Sequence, residues 1–188
     1  DDMSEDRAIE VELPGGSSIE LEVPAGLEPG EEFVAEVSID MDLDVRTIID
    51  QVSCANSTCF SPDGTTMFFA DTPDREIVAY DYDIDSGSVS NRRLHASFAD
   101  EPGLPDGSCV DAEGGVWNAE WEGHRIVRAA PNGTIERVID VPVWKPTCCA
   151  FGGPDLDTLY ITTSRLMSDE KALKKEPSSG GLFALKPG

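Results

Sequence analysis

Residues 45–188 are built on an internal repeat, and no other feature of the sequence constrains the fold as strongly. Three segments align: Cys59-Phe-Ser-Pro-Asp-Gly-Thr-Thr-Met-Phe-Phe-Ala-Asp71, Cys109-Val-Asp-Ala-Glu-Gly-Gly-Val-Trp-Asn-Ala-Glu-Trp121 and Cys149-Ala-Phe-Gly-Gly-Pro-Asp-Leu-Asp-Thr-Leu-Tyr-Ile-Thr162, offset by 50 and then 40 residues. Each reads as a strand, a glycine-containing turn and an aromatic strand, and residues 76–80, 125–128 and 181–185 supply a further strand. Turns at Asp85-Ser-Gly87 and Pro131-Asn-Gly133 lead into fourth strands near residues 92–96 and 135–139. Short antiparallel strands recurring at this period predict β-propeller blades, so the chain reads as all-β with about three blades. No amphipathic helix is expected, and residues 167–176, rich in Lys and Glu, read as an exposed loop.

The first 40 residues have a different character. Residues 1–50 carry 16 of the 37 acids but only 2 of the 14 bases, which divides the chain into an acidic β-rich segment, 1–40, and a propeller region, 41–188. Ile9-Glu-Val-Glu-Leu13 and Ile19-Glu-Leu-Glu-Val23 alternate apolar and acidic residues with the period of a half-buried strand. Pro14-Gly-Gly16 makes a turn between them, and Phe33-Val-Ala-Glu-Val37 offers a third strand. A meander of this size is marginal alone. The chain starts at Asp1 rather than methionine, which is the expectation for a processed chain or a fragment.

The net charge of −23 argues against nucleic acid and anionic membranes as partners and favours divalent cations. No apolar run reaches the roughly 18–20 residues that cross a bilayer. Cys54, Cys59, Cys109, Cys148 and Cys149 are odd in number and lack a Cys-x-x-Cys spacing, so they read as reduced small residues and the chain as cytoplasmic. Asp81-Tyr-Asp-Ile-Asp-Ser-Gly87 imitates a calcium loop, but Ser86 stands where that loop needs glycine and Arg92 where it needs glutamate; it reads as a hairpin turn. With His95 and His124 as the only histidines, a zinc site or a Ser-His-Asp triad has little material.

In a propeller the first strand of each blade lines the central channel, so matching positions converge on the axis. Three residues before Cys59, Cys109 and Cys149 stand Asn56, Asp106 and Pro146. An amide oxygen and a carboxylate are hard ligands suited to one divalent cation: Ca²⁺ or Mg²⁺ first, Mn²⁺ or Zn²⁺ also. Locally, Pro105-Asp106-Gly107 is turn chemistry, and it is the register with Asn56 that turns the reading toward a ligand. Asn118, Glu120, Trp117 and Trp121 follow the second inner strand, and Asp71 ends the comparable strand of the blade before. Asp71, Asn118 and Glu120 are the candidate substrate-binding residues, while the tryptophans serve equally as blade core.

These residues carry a family resemblance. Asn56 followed by Phe60-Ser-Pro-Asp-Gly64, Tyr80-Asp-Tyr-Asp83 with Ser90-Asn-Arg-Arg93, Leu104-Pro-Asp-Gly-Ser-Cys-Val-Asp-Ala-Glu-Gly114, Thr147-Cys-Cys-Ala-Phe-Gly-Gly153 and Gly180-Gly-Leu-Phe-Ala184 occur in order. Residues 45–185 resemble the second half of the senescence-marker, regucalcin and gluconolactonase family. The resemblance implies a six-bladed propeller that hydrolyses sugar lactones with an axial divalent metal. It makes Asn56 and Asp106 metal ligands and Asp106 the general base. The family's third protein ligand, a first-blade glutamate, has no counterpart in this sequence. Three blades leave open edges, which a second chain or an upstream half would cover. An incomplete propeller acting as a non-catalytic calcium-binding or interaction module is the alternative function.

Overall fold

The computed structural model describes residues 8–12, 18–22 and 45–188, which fall in two compact units, Asp1–Val45 and Arg46–Gly188. In the first unit β1 (Ala8–Glu12) pairs antiparallel with β2 (Ser18–Glu22), Val11 opposite Ile19. Both strands lie one residue earlier than the alternation suggests. The expected turn at 14–16 and third strand at 33–37 lie outside the described residues.

The second unit is three antiparallel sheets, each a meander. Blade one is β3 (Ala55–Phe60), β4 (Thr66–Asp71), β5 (Glu76–Tyr82) and β6 (Val89–Ser97). Blade two is β7 (Leu104–Val110), β8 (Val116–Trp121), β9 (Arg125–Ala129) and β10 (Ile135–Asp140). Blade three is β11 (Pro146–Gly152), β12 (Thr158–Thr163) and β13 (Leu182–Leu185). The Asp81–Gly87 stretch is a hairpin turn closed by Gly87 N–H on Asp83 O at 2.7 Å, and Pro131-Asn-Gly133 closes on Ala130. Residues 167–176 depart from the expected loop. Asp169 caps the amide of Ala172 at 2.7 Å and starts a six-residue helix, α1 (Glu170–Lys175), with Lys174 and Lys175 at its negative end.

Blades stack face to face, so a blade's second strand is covered on both sides and reads as a continuous apolar run. Met67, Phe68, Phe69 and Ala70 of β4 are all buried, with alternate side chains on opposite faces. Phe68 and Ala70 join Ile77, Ala79, Phe98, Val116 and Val127 between blades one and two. Trp117, Ala119, Ile126, Cys149, Leu159 and Ile161 fill the junction of blades two and three. The inner strands β3 and β7, and β7 and β11, are neighbours, and all three begin at the same end of the unit. Arg75 pins the crossing to blade two at that end, its guanidinium donating to the carbonyls of Phe98, Glu101 and Gly103.

Candidate functional site

Each inner strand carries an irregularity near its start. Pairing jumps from Asn56↔Ala70 to Cys59↔Phe68 in blade one, and from Pro105↔Glu120 to Ser108↔Asn118 in blade two. In blade three it jumps from Pro146↔Thr163 to Cys148↔Thr162. Bulges re-aim side chains at the rims of β structures, and here they fall at the positions that the repeat aligns. Pro105-Asp106-Gly107 is therefore part of β7 and not a turn. Asp106 and Gly107 are the bulged pair opposite Ala119, and Ser57 takes the left-handed conformation, φ +56°, immediately after Asn56.

Hydrogen bonds across the blade junction fix the two candidate ligands. The Asn56 amide donates through Nδ2 to Thr72 Oγ1 at 2.8 Å, and Thr72 Oγ1 donates to Pro105 O at 2.9 Å. Engaging the nitrogen leaves Asn56 Oδ1 as the acceptor end of the side chain. Ser57 Oγ donates to Asp106 O at 2.6 Å. The Asp106 carboxyl is half-buried, and no Lys, Arg or His pairs with it among the described residues. Burial pushes it up to about 6, against the weaker pull of the Gly107 N–H.

A half-buried, unpaired carboxylate and an amide oxygen, carried near the starts of adjacent inner strands, are both hard oxygen donors of the kind a divalent cation takes. Among the described residues no group of three or more His, Cys, Asp or Glu is placed to hold a metal ion. Pro146 supplies no donor at the matching position of blade three.

The three candidate substrate contacts each make internal hydrogen bonds. Asp71 accepts the backbone N–H groups of Ser53 and Cys54 at 2.9 and 2.8 Å, which holds its carboxyl below the usual range and clamps the approach to β3. Asn118 is fully buried, and its amide nitrogen lies 2.9 Å from Ser108 Oγ, 3.1 Å from Ser57 Oγ and 3.1 Å from Asp106 O. Glu120 is fully buried as well; it accepts Gly103 N–H at 3.2 Å and receives Arg125 through Nε at 2.9 Å, with Glu101 on the far side of that guanidinium. Burial raises the Glu120 carboxyl to about 7, against the weaker pulls of the Gly103 N–H and the Arg75 guanidinium. None of the three presents a free charged group to the rim. The sequence reading missed Ser57, Thr72 and Ser108, whose partners lie tens of residues away and leave no local pattern.

Trp117 is blade core, its indole N–H on Asp111 at 2.7 Å. At the rim, Lys145 is buried between Trp121 and Trp144, with Nζ 5.0 and 4.5 Å from the ring centroids and 2.7 Å from Leu166 O. His124 is exposed, 3.7 Å from Glu176.

Three consecutive four- or three-stranded blades, with Asn56 and Asp106 near the starts of two adjacent inner strands, define part of a β-propeller. Residues 26–165 match the SMP-30/Gluconolactonase/LRE-like region, and the chain belongs to that family. Among curated relatives, the L-arabinolactonase of Azospirillum brasilense is 40% identical over 159 residues, 84% of this chain and 52% of that protein. Human regucalcin is 34% identical over 171 residues, 90% of this chain and 56% of that protein. Among solved structures, the calcium-binding protein regucalcin from Agrobacterium tumefaciens superposes with a TM-score of 0.73 at 34% identity, over 76% of this chain and 48% of that one. A luciferin-regenerating enzyme gives 0.64 at 33%, over 71% and 45%. The chain thus spans about half the length of the relatives it matches.

Proposed function

We propose that this chain supplies half of the ring, and two ligands of the axial cation site, of a sugar-lactone hydrolase. The observation that carries the reading is the cross-blade network that holds Asn56 and Asp106 at the same end of adjacent inner strands. The name of the arabinolactonase relative supports an aldonolactone as the substrate class. Asn56 Oδ1 and the Asp106 carboxylate would hold the cation. When bound, it would supply Lewis-acid polarisation of the lactone carbonyl and acidification of an attacking water.

The chain's own residues then have defined tasks. Asp106, ionised at neutral pH, takes the water proton at a carboxylate oxygen as the water oxygen bonds to the carbonyl carbon. The ring C–O bond breaks, and the departing alkoxide recovers a proton to give the open hydroxy acid. Thr72 and Ser57 hold the two donors in place, so positioning contributes much of the rate. Three further blades, from a second chain or another part of the same protein, close the ring and supply the remaining ligands. The odd count of five cysteines and the lack of a Cys-x-x-Cys spacing support reduced thiols and a cytoplasmic setting.

A second reading is a cation-binding module without turnover. It is favoured by the absence, among the described residues, of any group of three or more His, Cys, Asp or Glu placed to hold a metal ion. Acid release from an aldonolactone separates the two. The lactonase reading expects turnover that EDTA abolishes, Mn²⁺ or Ca²⁺ restores and Asp106→Ala removes. Cation binding without turnover by the closed ring would leave the second reading standing.

A further inference from the structure

Asn56 and Asp106 sit on different blades, and something must fix their separation. Both carbonyls that flank the Asp106 Cα are held from blade one: Pro105 O accepts Thr72 Oγ1 at 2.9 Å and Asp106 O accepts Ser57 Oγ at 2.6 Å. Fixing two successive carbonyls fixes the direction of the Cα–Cβ bond between them. Ser57 directly follows Asn56, and its left-handed backbone is strained for a residue with a Cβ. Asn118 lies behind this junction with no exposed surface. Its Nδ2 reaches Ser57 Oγ, Asp106 O, Ser108 Oγ and, at 3.4 Å, Gly107 O. Its own Oδ1 is buried without a partner.

An unpaired buried amide oxygen costs stability, and a leucine of similar volume would avoid that loss. What leucine lacks are the N–H groups that bind the strands carrying Asn56 and Asp106. Resting on the reading of those two residues as cation ligands, we propose that Asn118 and Ser57 are positioning residues that set the ligand separation across the blade junction.

The test is Mn²⁺ affinity, by calorimetric titration of the 188-residue chain, alongside the metal-free thermal midpoint. Ser57→Ala and Asn118→Leu are each expected to weaken Mn²⁺ binding about tenfold, as loss of groups behind a metal ligand does. Thr147→Val is the control: Thr147 occupies the matching place in β11 and its hydroxyl meets Thr162 at 2.8 Å, with no link to Asp106. It is expected to bind Mn²⁺ as the wild type does, whatever it costs in midpoint. A purely structural role predicts instead that affinity follows midpoint across all three variants, and that result overturns the proposal. Wild-type affinity in Ser57→Ala and Asn118→Leu, with loss in Asp106→Ala, overturns the positioning role and leaves the cation site standing. Wild-type affinity in Asp106→Ala, or no binding by the wild type, removes the cation site itself. Should Asn118→Leu not fold, Ser57→Ala decides.

Discussion

In the absence of metal, Asp106 is a liability to the fold, and Asp106→Asn measures by how much. Burial raises its carboxyl from the ordinary 3.8 to about 6. In full, such a difference is worth about 3 kcal/mol. The group is only half-buried, and solvent screening reduces this to about 1–2 kcal/mol. The sign follows from proton binding. Between pH 4 and pH 6 the folded chain holds a proton that the unfolded chain has released, so stability falls as pH rises through that window. Above it the charged carboxylate sits unpaired among the described residues. An amide of the same shape has no charge to desolvate. Urea unfolding in EDTA, followed by tryptophan fluorescence, reports on the propeller unit, which holds all three tryptophans. Asp106→Asn is expected to match the wild type near pH 4 and to exceed it by about 1–2 kcal/mol at pH 7–8. A variant no more stable than the wild type at pH 7–8, or a difference that does not change with pH, would refute the reasoning.

Two further perturbations test the junction that holds the site. A Cβ on Gly107 would lie 2.5 Å from Cys148 Sγ and 2.7 Å from Thr147 O, so Gly107→Ala must push β7 from β11; a loss of about 1–3 kcal/mol in urea unfolding is expected, and a loss within error would contradict the close approach. Thr72→Val removes the hydroxyl between Asn56 Nδ2 and Pro105 O; it should cost about 1–3 kcal/mol and weaken Mn²⁺ binding, and unchanged affinity would disconnect Thr72 from the site.

The blades were legible because each repeats its strand–turn–strand pattern and because a strand buried on both faces leaves a run such as Met67-Phe-Phe-Ala70. The positions of Asn56 and Asp106 near the starts of β3 and β7 were legible for the same reason, since the repeat carries register. Local chemistry alone misled, since Pro105-Asp106-Gly107 has turn composition yet lies in β7, its irregularity absorbed by a bulge. The hydrogen-bond partners of Asn118 and Glu120 were not legible, because a polar residue on a second strand reads alike whether it faces a ligand or is satisfied by a distant loop. The partners are Ser57 and Gly103, 61 and 17 residues away. Asp71 likewise serves a backbone clamp whose partners precede it by 17 and 18 residues. Residues 167–176 were the one helix-like stretch in the sequence yet read as a loop, because the six residues of α1 are too few to show a periodicity.

The central claim, that Asn56 and Asp106 jointly hold a divalent cation, is tested most directly by the thermal midpoint of the wild type and of Asp106→Ala, each in EDTA and in excess Ca²⁺ or Mn²⁺. Ligand at about 100 times its Kd stabilises the state that binds it by about 2.7 kcal/mol, a rise of about 5–10 °C for a unit of this size. The account predicts that rise in the wild type and none in Asp106→Ala; an equal rise in both, or none in either, would contradict it.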